Sequence, residues 1–156
     1  KYTWVDTGSS YLPSDVLAAF LYAQFEQRNA IQAKRQSIWE TYWQALQPWA
    51  EAHHVRLPVI PEGCQQTYHM FYLLLPSLET RTALIAHLKA RGILAVFHYL
   101  PLHLSEMGMK FGGKAADCPI TEDVSDRLLR LPFFNDLSET DLAEVIQTLH
   151  EFDGWP

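Results

Sequence analysis

The stretch that decides the fold is Leu88-Lys89-Ala90-Arg91-Gly92-Ile93-Leu94-Ala95-Val96-Phe97-His98-Tyr99-Leu100-Pro101-Leu102-His103. Gly92 follows a helical pattern and fits the left-handed residue that commonly ends a helix. Residues 93–97 then form an apolar, β-prone run, which predicts a buried strand. The strand leads into His98, Tyr99 and His103, and strand ends are where folds usually present binding groups. The stretch therefore predicts one wall of a small-molecule site.

Two helices are predicted on the N-terminal side of this stretch. Apolar residues recur at helical spacing from Val16 to Phe25, and again from Ile31 to Trp49. Ser14 or Asp15 fits the N-cap of the first helix. Together the two helices are expected to form a long helical arm over residues 16–52.

The other elements predict a small α/β layer. Residues 67–75 form a strand pattern with two largely apolar faces, which favours a central position in a sheet. A helix is predicted over residues 79–91, and residues 128–131 are a candidate antiparallel strand. Ser138 begins a capping-box pattern that predicts a last helix. Residues 104–119 contain glycine and proline breaks without a period, so we expect a loop that lies over a site.

Composition limits the classes of function. The 156 residues suit one domain, and 48% apolar with 19% charged residues is typical of a globular protein. A net charge of −6 argues against a nucleic-acid or membrane-surface binder, since both need basic patches. There is no long apolar run or secretory signal, which predicts a cytoplasmic protein. Cys64 and Cys118 are expected to be free thiols rather than a pair.

The residues alone favour structural roles for most polar side chains. His98 and His103 lie five residues apart on an extended segment, which is not the spacing of a helical zinc pair, and no carboxylate completes a metal site. Core packing with a hydrogen bond to a backbone carbonyl is the default interpretation of both. Ser9 and Ser10 precede a helix, where a turn and cap is the default. Consecutive hydroxyl and N–H groups near a helix start also suit a phosphate.

Two arginines flank an apolar pair late in the chain. Arg127 and Arg130 follow Asp123 and Asp126 at helical spacing, so solvated ion pairs are the default interpretation. A pyrophosphate contact is the alternative, and the spacing does not support it.

Four motifs carry a resemblance to a known family. They are Gly92-Ile93 followed by His98-Tyr99-x-Pro101-Leu102-His103, the Gly8-Ser9-Ser10-Tyr11-Leu12-Pro13-Ser14-Asp15 segment, His69-Met70-Phe71-Tyr72, and Arg127-Leu128-Leu129-Arg130-Leu131-Pro132. These motifs resemble the pyridoxal-phosphate-dependent nucleotide-sugar aminotransferases of the DegT type, and the resemblance runs nearly from end to end.

The resemblance implies the fold and its division. It implies the α/β small C-terminal domain of a fold-type-I aminotransferase, with a short, mostly antiparallel sheet packed with helices behind a long helical arm. Residues 1–15 would be a residual strand and loop of the large domain, 16–52 the connecting arm, and 53–156 the small domain.

The resemblance also implies an activity. An amino group, expected to come from glutamate, is transferred to C4 of a 4-keto-6-deoxyhexose carried on dTDP, with pyridoxal 5′-phosphate as cofactor. The lysine that holds the cofactor is expected upstream of Lys1, since no lysine here matches the family's Ser-x-x-x-x-Lys setting. The chain is thus expected to be a C-terminal fragment without a catalytic residue, inactive alone and part of a homodimer in the parent enzyme.

Substrate contacts are implied at the strand exit. In the family, the Tyr-x-Pro-Leu-His element approaches the sugar, which implies His103 as a substrate-binding residue together with Tyr99 and His98. Tyr11, in the N-terminal motif, is the fourth residue implied on the substrate side. No metal, nucleic acid or membrane is implied as a partner.

Cofactor contacts are implied in trans. The family's Gly-x-Asn-x-Arg segment reaches across the dimer interface towards the partner's cofactor phosphate, which implies that role for Ser9 and Ser10. Ser10 stands in place of the Asn and Leu12 in place of the Arg. Leucine cannot supply the charge or the donors of arginine, so another residue must replace that contact.

Two other classes of function remain open at this level. A stand-alone nucleotide-sugar-binding module would have the same strand exit and would need no lysine. An interaction module, whose helical arm pairs with a partner helix, would need a sustained heptad, and Gln32 and Arg35 interrupt one.

Overall fold

The computed structural model of the chain describes residues 11–156. Within them it contains helices α1 (Asp15–Glu26), α2 (Arg28–Ala52), α3 (Leu78–Ala90), α4 (Glu106–Lys110), α5 (Pro119–Arg127) and α6 (Glu139–His150), and strands β1 (Tyr72–Leu74), β2 (Val96–Phe97) and β3 (Leu128–Arg130). A short 3-10 turn, Leu102–Leu104, follows β2. This confirms the predicted α/β class, a short antiparallel sheet packed with helices behind two arm helices.

The last strand in the chain lies in the middle of the sheet. The strand order is β1-β3-β2, and β3 is antiparallel to both neighbours. The antiparallel partner predicted late in the sequence is therefore confirmed. The central position predicted for the strand over residues 67–75 is wrong, because among residues 11–156 β1 is at one side of the sheet and has beyond it a single bridge between Arg56 and Leu74. That strand is also shorter than predicted, since Tyr68 has φ of 47°, outside the extended region.

The two faces of the sheet differ in burial. One face carries the buried residues Phe71, Leu73, Leu75, Ile93, Ala95, Leu129 and Leu131, which pack with apolar side chains of α2, α3 and α6. The other face is partly exposed, and the paired residues Tyr72, Arg130 and Val96 on it are half-buried. The strand predicted as buried over residues 93–97 is wrong in part: Ile93 and Ala95 are buried, but the strand itself covers only Val96–Phe97, of which Val96 is half-buried and Phe97 is 45% exposed.

Helix α2 is part of the core, whereas α1 is not. Residues of α2 at spacings of three and four are buried: Ile38, Trp39, Tyr42, Leu46, Trp49 and Ala50. The phenol of Tyr42 donates a hydrogen bond to the carbonyl of Pro132 at 3.0 Å, and its ring packs on Phe71. No residue of α1 is buried within the described part of the chain.

The predicted helix signals are confirmed. Gly92 has φ of 76° and the N–H group after it donates to the carbonyl of Leu88, which closes α3. Ser14, rather than Asp15, caps α1. Ser138 caps α6 by accepting from the N–H of the third helical residue. Both cysteines are exposed and unpaired, and no helix in residues 11–156 is long and apolar enough to cross a membrane.

Candidate substrate-binding site at the exit of strand β2

His98 and Tyr99 follow β2 directly and line one cleft. The cleft has a volume of about 390 Å³ and lies between the turn after β2 and helix α5. The two rings meet edge to face, with centroids 4.8 Å apart. His98 is half-buried, whereas the Tyr99 side chain is 73% exposed. The strand exit therefore presents both residues to one space, as the sequence predicted.

The imidazole of His98 is an uncharged polar group on the partly exposed face of the sheet. Its Nδ1 is buried and has no hydrogen-bond partner among the described residues. Burial, and then the nearby positive charge of Arg130, lower the pKa of His98 below its ordinary value. At neutral pH His98 is thus a neutral group that can donate one hydrogen bond and accept another.

His103 has a carboxylate partner rather than the backbone carbonyl of the default interpretation. It lies in the 3-10 turn after β2, and its Nε2 is 2.8 Å from Oε1 of Glu122 in α5. The side chains of His103 and Glu122 are only 16% and 24% exposed. His103 also lines a second cleft of about 700 Å³, together with apolar side chains that include Met107 and Phe111.

Glu122 joins three parts of the chain. Beside its contact with His103, its carboxylate accepts the N–H of Ala116 at 2.9 and 3.2 Å and that of Cys118 at 3.4 Å. The hydrogen bonds from His103 and then from Ala116 lower the pKa of Glu122, so it is ionised at neutral pH. Sequence reasoning missed Glu122, because a carboxylate 19 residues from its histidine forms no local pattern.

Two glycines let the backbone close around the turn that carries His103. A Cβ atom on Gly108 would lie 2.2 Å from the carbonyl oxygen of Leu102, and one on Gly113 would lie 2.3 Å from that of His103. The loop predicted over residues 104–119 is therefore wrong in part. This segment contains α4 and packs backbone to backbone against the His103 turn, which it supports.

The predicted substrate residues are not all brought into one cavity. The two clefts are neighbours, because Leu102 and Thr121 line both of them. His98 and Tyr99 line the smaller cleft, and His103 lines the larger one. Tyr11 is 92% exposed and lines neither cleft. The predicted cofactor contacts, Ser9 and Ser10, lie outside the described residues.

Arg127 and Arg130 have different partners in the structure. Arg127 forms the predicted ion pair with Asp123 and also donates to the carbonyl of Leu75 at 3.1 Å. Arg130 reaches the carbonyl of Phe97 at 3.5 Å and has no carboxylate partner within residues 11–156. The ion pair expected for Arg130 is therefore not formed, because Arg130 lies in β3 and not on the helix of the aspartates.

Both clefts are lined mainly by apolar side chains, among which His98, Tyr99 and His103 are polar groups that can bind a ligand. No lysine lines either of them. Within residues 11–156, no three His, Cys, Asp or Glu side chains lie close enough together to hold a metal ion. The imidazoles and the phenol offer hydrogen bonds to a hydroxylated ligand.

Comparison with known proteins identifies the family. Residues 1–150 match the model of the DegT/DnrJ/EryC1/StrS aminotransferase family, and the chain belongs to this family. The resemblance seen in the sequence motifs is thereby confirmed at the level of the family.

Solved structures of aminotransferases have the same fold. TlmJ from Streptoalloteichus hindustanus is 27% identical, with a TM-score of 0.76 over 86% of this chain and 35% of that protein. DesV from S. venezuelae, solved with a ketimine intermediate, is 27% identical, with a TM-score of 0.77 and the same coverage of 86% and 35%. A family member from Brucella abortus is 29% identical, with a TM-score of 0.65 over 79% and 31%. The chain spans about a third of the length of these proteins.

Proposed function

We propose that this chain is the C-terminal part of a pyridoxal-phosphate-dependent sugar aminotransferase. The family match over residues 1–150 carries this proposal. In it, residues 1–15 belong to the large domain, 16–52 form the connecting arm and 53–156 form the small domain. The parent enzyme is a homodimer that acts in the cytoplasm, and the large domain of the same polypeptide supplies the lysine.

The proposed substrate is a dTDP-4-keto-6-deoxyhexose, aminated at C4 with glutamate as donor. The N-terminal motif Gly8-Ser9-Ser10-Tyr11-Leu12-Pro13-Ser14-Asp15 supports this choice, because it resembles the enterobacterial dTDP-4-amino-4,6-dideoxygalactose transaminase more than the common Gly-x-Asn-x-Arg form. The product would enter a cell-surface polysaccharide of the enterobacterial common antigen type.

The cofactor supplies the electron sink, and the protein supplies binding and orientation. In this proposal His103, His98 and Tyr99 form the sugar-side wall. Ser9 and Ser10 contact the cofactor phosphate of the partner subunit, and Tyr11 completes the substrate side. The cofactor lysine belongs to the large domain, and the chain is inactive alone.

The decisive experiment separates the two half-reactions in the parent enzyme. His103→Ala should lower kcat/KM for the sugar nucleotide by about 5- to 150-fold, the effect of one well-placed hydrogen bond. The half-reaction with glutamate proceeds without the sugar and should stay near normal. His69→Ala is the control, because His69 is exposed and lines neither cleft. Equal losses in both half-reactions, with a lowered melting temperature, would return His103 to a packing role.

A second experiment tests the division between chain and parent. The isolated chain is mixed with pyridoxal 5′-phosphate and reduced with borohydride, which traps any Schiff base on lysine. We expect no stoichiometric adduct on a single lysine. A specific adduct in high yield would contradict an upstream Schiff-base lysine.

A further inference from the structure

The contact between His103 and Glu122 determines which ring nitrogen carries the proton. An ionised carboxylate has no proton to donate and can only accept hydrogen bonds. Since the bond joins Oε1 of Glu122 to Nε2 of His103 at 2.8 Å, Nε2 must be the donor. A neutral His103 therefore carries its proton on Nε2, and its Nδ1 has a free lone pair.

Backbone N–H groups also hold the carboxylate of Glu122 in place. The N–H of Ala116 donates to both of its oxygens, at 2.9 and 3.2 Å, so Glu122 cannot turn towards solvent without losing these bonds. Glu122 belongs to α5. The backbone of Ala116 has a left-handed conformation, with φ of 71°. A partner anchored in this way fixes both the tautomer and the orientation of an imidazole.

The backbone of His103 is fixed as well. Gly108 and Gly113 place the segment after the turn in direct backbone contact with Leu102 and His103, where no side chain fits. Within residues 11–156, Nε2 is the only ring nitrogen of His103 that makes a hydrogen bond. The group that remains for a ligand is Nδ1.

We propose that Glu122 is a positioning residue that holds the imidazole of His103 with a proton on Nε2, so that Nδ1 accepts a hydrogen bond from a hydroxyl group of the sugar. The proposal rests on the substrate-binding role of His103 given above, and it adds the direction of the bond. A hydroxyl can donate to Nδ1, whereas a ketone or phosphate oxygen can only accept and gains nothing from a neutral His103.

The first test measures the tautomer directly and needs no substrate. Histidine-labelled chain is examined by long-range ¹H–¹⁵N correlation spectra at a pH where His103 is neutral, because these spectra distinguish protonated from unprotonated ring nitrogens. We expect an Nε2–H signal and an unprotonated Nδ1. In Glu122→Gln the side-chain amide can donate or accept, so the two tautomers should mix. Glu106→Gln is the matched control, since Glu106 pairs with Lys110 and does not contact His103.

The second test asks, in the parent enzyme, whether a sugar hydroxyl donates the hydrogen bond that Nδ1 of His103 accepts. Glu122→Gln should lower kcat/KM for the sugar nucleotide by roughly tenfold, the effect of weakening one placed hydrogen bond, and leave the glutamate half-reaction near normal. Substrate analogues with the 2- or 3-hydroxyl replaced by fluorine cannot donate. For one of these analogues, kcat/KM with the unsubstituted enzyme should be lowered about as much as His103→Ala lowers kcat/KM for the natural sugar. With this analogue, His103→Ala should lower kcat/KM little further.

The outcomes of the two tests are distinguishable. An Nδ1–H tautomer in the unsubstituted chain overturns the proposal, whether or not Glu122→Gln folds, and leaves the sugar-binding role of His103 standing. If neither fluorinated analogue is impaired although His103→Ala is, the acceptor role fails in the same way. If His103→Ala does not affect the sugar half-reaction, the substrate-binding role itself fails, even where the tautomer is as expected.

Discussion

Burial and a neighbouring positive charge both lower the pKa of His98. The ring is half-buried beside Arg130, and both effects disfavour its protonated form, so its pKa is lowered. The sequence placed His98 at a strand exit, which is where the structure has it. Its electrical environment was not predictable, because Arg130 is far away along the chain and comes close only through the pairing of β2 with β3.

Removal of the Arg130 charge should raise the pKa of His98. In Arg130→Gln the repulsion is lost, and burial alone holds the pKa below its ordinary value. A ¹H NMR titration of the His98 ring measures this shift in the folded chain. Arg127→Gln is the control, since Arg127 is neutralised by its ion pair with Asp123. An unchanged pKa in Arg130→Gln would mean that burial acts alone.

The same group makes the stability of the chain depend on pH. The unfolded chain protonates His98 near the ordinary pKa of about 6.5, whereas the folded chain does so only at lower pH. The free energy of unfolding should therefore fall as the pH drops below about 6.5, until the folded form is protonated too. Urea titrations between pH 8 and 5 should show a smaller fall in His98→Gln. An equal fall in both proteins would assign this dependence to other histidines.

Glu122 contributes stability in a more acidic range. Its folded pKa lies below the ordinary value of 4.5, so its stabilising bonds are fully present above that pH and are lost as the pH falls through the folded pKa. Glu122→Gln should flatten the dependence of the free energy of unfolding on pH below about 4.5. Glu106→Gln, whose carboxylate is exposed in an ion pair, should not. If Glu106→Gln flattened this pH dependence and Glu122→Gln did not, the dependence would not come from Glu122.

Among the elements, those with local signals were predicted and those made by backbone packing were not. Gly92 and Ser138 mark helix ends through bonds to near neighbours in the chain. Helix α4 has five residues, too few for a hydrophobic period, and it is held by the turn that carries His103. Such a contact depends on how closely two backbones approach, which no local pattern encodes.

The two glycines beside this turn give a prediction at the scale of the element. In Gly113→Ala the new methyl group would lie 2.3 Å from the carbonyl oxygen of His103, and one backbone must move. We expect a loss of about 1–3 kcal/mol in the free energy of unfolding and a shift of the His103 ring signals. Gly63→Ala is the comparison: its φ is 76°, but the space around it is open, so the His103 signals should stay in place. Unmoved His103 signals in Gly113→Ala would contradict the support role of this segment.

On the scale of the whole molecule, burial divides the arm into two unlike helices. Periodicity predicted both helices but not this difference, because a hydrophobic stripe does not identify what covers it. The C-terminal half of α2 lies in the core, while the apolar residues of α1 are exposed: Val16, Leu17, Phe20, Leu21, Tyr22 and Phe25 are each more than half exposed. A contiguous apolar surface of this kind is typical of an interface. It fits the proposed role of the arm as a bridge to the large domain of the parent.

Substitutions of two phenylalanines, one in the core and one in α1, test whether α1 is that bridge. Phe71 is fully buried and Phe20 is 68% exposed. In the isolated chain, Phe71→Ala should cost about 3–5 kcal/mol of the free energy of unfolding, and Phe20→Ala no more than about 0.5 kcal/mol. In the parent, Phe20→Ala should become costly, because α1 would there be covered by the large domain. Chemical denaturation of both variants, in the chain and in the parent, measures these differences. If Phe20→Ala were as harmless in the parent as in the chain, α1 would not be the bridge.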